Sequence, residues 1–133
     1  MDLIQDALSA NGLMPSDIDM VVAHANGNQK SDISEALAIT DVFGEKGVPV
    51  TGFKWLMGHT LCVSGLLDLA LATEAISTKQ LPALATCQNL ATTCQGLDVV
   101  QTHRAIDKVK PHALIINRGF GSMNAVAIIK GLS

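Results

Sequence analysis

Two short segments of the chain are almost continuously apolar and rich in aliphatic residues. Residues 18–23 read IDMVVA, and residues 113–117 read ALIIN. This pattern is typical of strands that are buried on both faces of a sheet, rather than strands with one face in water. Helical patterns lie between the strands and can cover both faces. The order of the elements therefore predicts a layered α/β fold with a mixed sheet.

A hairpin is predicted at the end of the chain. Residues 118–124 (RGFGSMN) are rich in glycine and join 113–117 to a second strand pattern at 125–130 (AVAIIK). A short connection of this kind predicts that the last two strands pair antiparallel. Further short strands are predicted within 47–52 (GVPVTG) and near 97–100 (LDVV).

Three helices are predicted from the 3.6-residue period. They cover residues 2–11, a segment that starts with a capping box at Asp32 and Glu35, and a long stretch from about Gly58 to Lys79. Within the long stretch, the apolar residues of 59–78 spread around nearly the whole helix. Such a helix is buried on all sides in its working state, so we expect an oligomer or a complementary partner.

The composition excludes several classes of protein. The 133 residues suffice for one domain, and 48% of them are hydrophobic. A net charge of −3 without a basic tract argues against nucleic-acid binding. The apolar stretch 61–76 contains charged and hydroxyl residues, so we expect no membrane span, and the N-terminus does not resemble a signal peptide. The three cysteines lack metal-site spacing, which predicts reduced thiols, no metal and a cytoplasmic location.

Polar groups break the apolar pattern at three places. His24 follows a buried strand, Lys54 and His59 lie between a strand and a helix, and the GFG turn joins the last two strands. Each has an ordinary structural explanation: a hydrogen-bonded histidine, a solvated lysine, or glycines that supply positive φ. Sites collect at strand ends in layered α/β folds, so we expect the three to cluster. A small binding module without chemistry would leave the lysine and the two histidines unexplained.

The same three segments resemble motifs of the β-ketoacyl-acyl-carrier-protein synthases. Residues 21–36 (VVAHANGNQKSDISEA) resemble the HGTGT-xxxD-xxEA segment, and 54–72 (KWLMGHTLCVSGLLDLALA) are similar to the KxxxGH-xxxAxG-xxE segment. Residues 117–130 (NRGFGSMNAVAIIK) resemble the closing NSFGFGGTNA strand pair. The resemblance extends from Leu3 to the end of the chain. It implies a thiolase-like half-fold and decarboxylative Claisen condensation of malonyl-carrier protein with an acyl thioester, an acyltransferase reaction.

The resemblance covers only the C-terminal part of such a synthase. Residues 1–133 are then a single C-terminal domain, with the N-terminal half absent. The family's nucleophilic cysteine belongs to a DTACSS-like motif in that half, so we expect the isolated fragment to be inactive in condensation. Cys62 matches a small packing position, and a Cys62–His59 nucleophile pair is the less favoured alternative.

The resemblance also assigns roles to residues. His24 and His59 match the two histidines that stabilise negative charge on the thioester oxygen, and Gly58 permits close approach. Lys54 matches the third catalytic residue, and the resemblance implies that Glu35 holds it and orients the site. A lysine paired with a glutamate is a reasonable way to keep both charges partly buried.

Substrate contacts follow from the remaining matches. Asn26 and Asn28 replace the two threonines that contact the pantetheine arm, and Phe120, between Gly119 and Gly121, matches the aromatic gate of the acyl pocket. These replacements, together with Met123 in the turn and Asp68 on the helix, favour a polyketide-type or aryl-polyene-type system, or a divergent synthase, over ordinary fatty-acid synthesis.

The resemblance implies partners but no cofactor. The substrates travel on the phosphopantetheine arm of an acyl carrier protein, and the N-terminal half of the synthase or another synthase subunit completes the site. The alternative is a non-catalytic partner subunit that resembles a chain-length factor. Such subunits commonly lose the catalytic histidines. This chain keeps both, which favours the catalytic hypothesis.

Overall fold

The computed structural model describes residues 2–132 and forms two layers of helices around one main sheet. The elements follow the order that the sequence predicts, with additional short strands. They are α1 (Asp2–Ala10), β1 (Met20–Val22), α2 (Gln29–Phe43), β2 (Pro49–Thr51), α3 (Lys54–Met57), α4 (Ser64–Thr78), β3 (Gln80–Leu81), β4 (Asp98–Val99), β5 (Arg104–Ala105), β6 (His112–Arg118) and β7 (Asn124–Lys130).

The main sheet is mixed, as predicted. Its five strands lie in the order β4-β2-β1-β6-β7, and the first four run parallel to their neighbours. The last pair is antiparallel, with register from His112 opposite Lys130 to Arg118 opposite Asn124. This confirms the predicted hairpin. A separate two-stranded sheet joins β3 and β5.

The central strands are buried on both faces, which confirms the opening prediction. Residues of β1 alternate between two core clusters: Met20 and Val22 belong to the cluster that α4 covers, whereas Val21 belongs to the cluster under α1 and α2. Strand β6 alternates in the same way, because successive side chains of a strand point to opposite faces. The two clusters hold the sheet between the helical layers.

The prediction of one long helix from Gly58 to Lys79 is wrong for the first part of that segment. A four-residue helix, α3, ends at Met57 and is followed by Gly58 with a φ of +77°, and Leu61 also adopts a left-handed φ of +51°. A 3₁₀ turn at Leu61–Val63 then leads into α4, which starts at Ser64. Because left-handed residues interrupt helical hydrogen bonding, His59 lies in a turn instead of on a helix.

The predicted capping box is also wrong. Helix α2 begins at Gln29, three residues before Asp32, and the Ser31 backbone N–H donates to the side chain of its N-cap Asn28. Asparagine is a strong N-cap residue for this reason. Glu35 is thus free for another role.

Helix α4 has one buried face and one exposed face. Its buried face packs on β6 and includes Asp68, Ala72 and Ile76. Leu66, on the opposite side, and Leu61, in the preceding turn, are exposed. Among the described residues, the helical stretch Leu61–Thr78 would be long and apolar enough to cross a bilayer, a criterion that core helices of soluble proteins also meet. The exposed apolar face is the surface that the sequence predicts to need a partner.

Candidate active site

The two histidines lie together at one edge of the main sheet. The parallel strands β1, β2 and β6 bring their carboxyl ends to this edge, and His24 lies two residues after the end of β1. His24 is 2% exposed, whereas His59 is exposed. Their ring centroids are 5.2 Å apart, with an edge-to-face angle of 78°. The predicted clustering of the two imidazoles is thus present.

Backbone hydrogen bonds fix the same tautomer in both neutral rings. The Arg118 N–H donates to His24 Nδ1 at 3.3 Å, and the Leu61 N–H donates to His59 Nδ1 at 3.1 Å. A neutral imidazole that accepts at one nitrogen carries its proton on the other. Both rings therefore carry their proton on Nε2, which makes Nε2 the donor.

His24 stays neutral over a wide pH range. Burial lowers its pKa from 6.5 to about 4, and the positive charges of Lys54 and Arg118 act in the same direction. A hydrogen bond with the Asn117 side chain opposes this effect in part. The imidazolium form is disfavoured because a second positive charge beside a buried ammonium costs free energy. Near neutral pH, His24 is a donor without charge.

Lys54 does not pair with Glu35, which corrects the prediction. Its Nζ lies 2.7 Å from Asp68 Oδ2 on α4, and both side chains are almost fully buried. Glu35 accepts hydrogen bonds from the backbone that follows β1 instead. The reason is geometric: α3 places Lys54 beside α4, whereas Glu35 lies on α2 under the turn that follows β1.

Glu35 instead holds the backbone at His24. Its Oε1 accepts from the His24 N–H at 2.7 Å, and its Oε2 accepts from the Ala25 N–H at 3.0 Å. Burial raises the pKa of Glu35, and these two hydrogen bonds oppose that rise. A supporting role for Glu35 therefore fits the structure, but through the backbone of the histidine and not through the lysine.

The sequence reasoning missed the contacts that three residues make around the histidine and the lysine. Asp68 holds the lysine. Asn117 contacts the His24 ring, and a side chain at Gly65 would collide with the Asn117 amide. Arg118 donates its backbone N–H to His24. The signal for Asp68 was its place at the glutamate position of the KxxxGH-xxxAxG-xxE motif.

The predicted substrate contacts divide into two groups. Asn26, Gly119 and Phe120 line a cleft of about 850 Å³ together with both histidines, and Phe120 is 91% exposed. Asn28 lies outside the lining of this cleft and caps α2 instead. The longer amide that replaces the motif's second threonine is thus engaged by the helix.

The remaining two glycines belong to turns. Gly121 has a φ of +67° in the hairpin turn, and Gly58, at +77°, lines a second cavity of about 460 Å³ on the other side of His59. Both conformations are ones that glycine adopts without strain. The three cysteines are free thiols, as predicted: Cys62 is exposed, Cys87 half-buried and Cys94 buried.

This arrangement defines a class of protein. A thiolase-like layered sheet presents two imidazole donors, next to a buried lysine, at the mouth of an open cleft. Neutral donors beside a cleft can stabilise negative charge on a substrate oxygen. The fold and the site are those expected of a thioester-condensing domain.

The comparison with family models agrees. The model for the β-ketoacyl synthase C-terminal domain matches residues 1–88. The chain therefore belongs to the β-ketoacyl synthase family of condensing enzymes and represents part of its C-terminal domain.

Curated relatives come from polyketide synthases. The chain is 33% identical over 129 residues to a putative polyketide β-ketoacyl synthase 2 of Streptomyces halstedii, covering 96% of this chain and 30% of the relative. It is 32% identical over 127 residues to the tetracenomycin polyketide synthase ketoacyl synthase beta subunit of Streptomyces glaucescens, covering 96% of this chain and 31% of the relative. The chain thus spans about a third of the length of these relatives.

Solved structures show the same fold. The ketosynthase from module 1 of the bacillaene synthase of Bacillus amyloliquefaciens FZB42 aligns with a TM-score of 0.91 at 18% identity, over 99% of this chain and 25% of that one. The ishigamide ketosynthase/chain length factor aligns with a TM-score of 0.86 at 29% identity, over 98% of this chain and 32% of that one. A type II polyketide synthase acyl-carrier protein in complex with its ketosynthase (AntDE:AntF) aligns with a TM-score of 0.88 at 23% identity, over 98% of this chain and 32% of that one.

Proposed function

We propose that the chain is the C-terminal portion of a β-ketoacyl-acyl-carrier-protein synthase that acts in polyketide-type biosynthesis. The observation that carries this proposal is the pair of imidazoles 5.2 Å apart, each with Nδ1 engaged by a backbone N–H. Two neutral Nε2–H donors on one side of a cleft suit a thioester oxygen that gains negative charge.

The chemistry divides into two steps. Malonyl thioester loses CO₂, and the electron pair of the broken C–C bond forms an enolate whose negative charge rests on the thioester oxygen. His24 and His59 donate to that oxygen, and their hydrogen bonds strengthen as its charge develops, so they lower the barrier. The enolate carbon then attacks an acyl thioester held on a cysteine outside residues 1–133, and the cysteine thiolate leaves.

Lys54 acts through position and charge. The 2.7 Å bond to Asp68 fixes its ammonium next to His24, where the positive charge lowers the histidine's pKa. A lysine that remains paired and protonated is a poor general base. Its role is to keep His24 neutral and to add positive potential near the developing enolate.

We assign substrate delivery to an acyl carrier protein. The cleft lined by Asn26 and Phe120 is open to solvent at Phe120, which suits entry of a phosphopantetheine arm past a mobile aromatic gate between Gly119 and Gly121. A structural neighbour that contains a carrier protein in complex with its ketosynthase supports this partner. The reaction as written needs no further cofactor.

We also propose that a complementary region covers the exposed face of α4. The relatives are about three times as long as this chain, and the α4 face has the apolar character of an interface core. That region, from the N-terminal half of a synthase or from a synthase subunit, would supply the nucleophile. The free thiols favour a cytoplasmic location.

The proposal is tested by decarboxylation of malonyl-carrier protein. The chain is combined with its complementary N-terminal region, and CO₂ release is measured. His24→Ala and His59→Ala are each expected to lower the rate about 10²- to 10³-fold, the typical cost of losing one oxyanion donor. His103→Ala, in a loop outside the cleft, is the matched control. Unchanged rates in both site variants would reject the proposal.

A second candidate is a non-catalytic partner subunit similar to a chain-length factor. The similarity to a ketoacyl synthase beta subunit and to a ketosynthase/chain length factor favours it. It predicts that a synthase requires this chain for activity, while His24→Ala and His59→Ala leave that activity unchanged. The same variants therefore separate the two functions.

A further inference from the structure

Arg118, like its neighbour Asn117, contacts His24 from the hairpin. It is the last residue of β6, and its backbone N–H is the donor that fixes the tautomer of His24 at Nδ1. The donor's position depends on where the hairpin lies relative to β1. A shift of the hairpin would therefore break the contact and leave Nδ1 free to take the proton.

The Arg118 side chain ties the hairpin to a different element. Its Nη1 donates to the Ser31 backbone carbonyl at 2.8 Å, and its Nη2 donates to Ser34 Oγ at 3.4 Å, both on α2. Its Nε donates to Asn124 Oδ1 at 3.3 Å, directly across the hairpin. One guanidinium thus joins both strands at the base of the turn to the first turns of α2.

These hydrogen bonds depend on the shape of the guanidinium, whereas its charge acts at longer range on Asp32 and Glu35. Its hydrogen-bond partners are neutral oxygens, and none of the ion pairs within residues 2–132 includes Arg118. The planar fork reaches four acceptor atoms on three residues at once, which a lysine ammonium on a flexible stem does not reproduce. The requirement is therefore for arginine and not for a cation in general.

We propose that Arg118 is a positioning residue that holds the hairpin against α2, so that its own backbone N–H keeps His24 in the Nε2–H tautomer. The effect of Arg118 on catalysis rests on the proposed function. Its effect on the His24 tautomer does not, because the tautomer and the tether exist without substrate. Loss of the tether would also release the turn that carries Phe120 at the mouth of the cleft.

The test is ¹⁵N NMR of the histidine rings in the full chain, with Arg118→Lys and Arg118→Ala. Wild type is expected to show a single Nε2–H tautomer for His24 at pH 7. In both variants the Nδ1–H form is expected to become detectable, and amide exchange at Gly119–Met123 to accelerate at least tenfold. Lys54, His59 and Glu35 remain around the ring in each variant, so the change reports the tether.

The outcomes separate tether, charge and folding. Arg104→Lys, which alters the surface pair with Asp98, is the matched control and should leave His24 unchanged. A variant Arg118→Lys that keeps both the tautomer and the slow exchange would overturn the proposal, because it retains charge without the fork. If Arg118→Ala fails to fold, Arg118→Lys alone decides the matter.

An activity measurement then separates this inference from the proposed function. In the complemented synthase, Arg118→Lys should lower kcat for decarboxylation more than it raises KM, since the donor to the enolate is lost. A shifted tautomer with no change in rate would leave the positioning role standing and would count against the proposed function. An unshifted tautomer would sink the positioning role whatever the rate.

Discussion

The ammonium of Lys54 lies 2.7 Å from the carboxylate of Asp68, and the two side chains are among the most buried charged groups of the domain. This pair joins α3 to α4 and sets the position of a positive charge beside His24. Because the pair satisfies Lys54, Glu35 is left to bind the backbone of His24 and Ala25. The Lys54–Asp68 pair thus determines which groups Glu35 binds and which charge lies beside His24.

Breaking this pair should destabilise the fold strongly. Asp68→Asn keeps the shape of the side chain but leaves Lys54 buried without a counter-charge, and we expect a loss of about 3 kcal/mol in the free energy of unfolding. Urea denaturation followed by circular dichroism measures it. Asp98→Asn, which breaks the half-exposed pair with Arg104, is the control and should cost less than about 1 kcal/mol. Equal losses in the two variants would contradict the assigned burial.

The free energy of unfolding should decrease as the pH is lowered from about 6.5 to about 4, the range in which the fold keeps His24 neutral. Its pKa is about 4 in the fold against 6.5 unfolded, so the unfolded chain binds more protons between these values. The contribution of neutral His24 is complete above pH 6.5 and is lost as pH falls towards 4, by on the order of 2–3 kcal/mol.

The measurement compares unfolding of wild type and His24→Asn from pH 7 to pH 4.5. Asparagine can accept the Arg118 N–H but does not titrate, so the variant should lack this part of the pH dependence. Glu35, whose pKa is raised by burial, acts in the opposite direction and cancels in the comparison. Parallel pH curves for the two proteins would refute the shift.

Replacing two residues that have a left-handed φ by glycine should relieve backbone strain. Ala25 (φ +40°) and Ser122 (φ +63°) occupy positions where the synthase motifs have glycine. A side chain there costs about 1–2 kcal/mol, and the greater freedom of unfolded glycine offsets part of it. Ala25→Gly and Ser122→Gly should each raise the free energy of unfolding by about 0.5–1 kcal/mol. Gly121→Ala, at φ +67°, should lower the free energy of unfolding. A loss of stability in both Ala25→Gly and Ser122→Gly would show that the strain is absent.

The exposed face of α4 should make the chain associate. Leu66 on α4 is 67% exposed and Leu61, in the turn before it, is 68% exposed, and large exposed apolar patches are rare on soluble monomers. Light scattering of the chain alone should show an oligomer, and Leu66→Glu should reduce its mass. Leu37→Glu, equally exposed on α2, is the control. A stable wild-type monomer would mean that this face needs no partner.

The chain alone should form no carbon–carbon bond. Condensation needs an acyl thioester held beside the enolate, and bringing the two together provides much of the rate. Cys62 is exposed and lines the cleft that both histidines line, so it is the residue to test. Product from malonyl and acyl thioesters, measured by mass spectrometry, should be absent. Product that disappears in Cys62→Ala would establish the Cys62–His59 alternative instead.

Patterns local to the chain determined the strands and the hairpin. The short, glycine-rich turn between the apolar segments 113–117 and 125–130 specifies an antiparallel pair, because so short a connection can join only neighbouring antiparallel strands. The apolar character of 18–23 likewise determined burial on both faces. The motifs around His24, Lys54 and His59 also indicated which polar groups would meet, since strand ends share one edge of the sheet.

Only the tertiary structure decided how those groups are held. The partner of Lys54 depends on the angle between α3 and α4, and the break at Gly58 and Leu61 that sets this angle is hidden in an apolar pattern that reads as continuous helix. The tautomer of His24 depends on Arg118, 94 residues away along the chain. Helical and strand periods report only which residues share a face over a few turns. Hydrogen-bond geometry between elements is fixed by their packing, because atoms must meet within a few tenths of an ångström for such a bond to form.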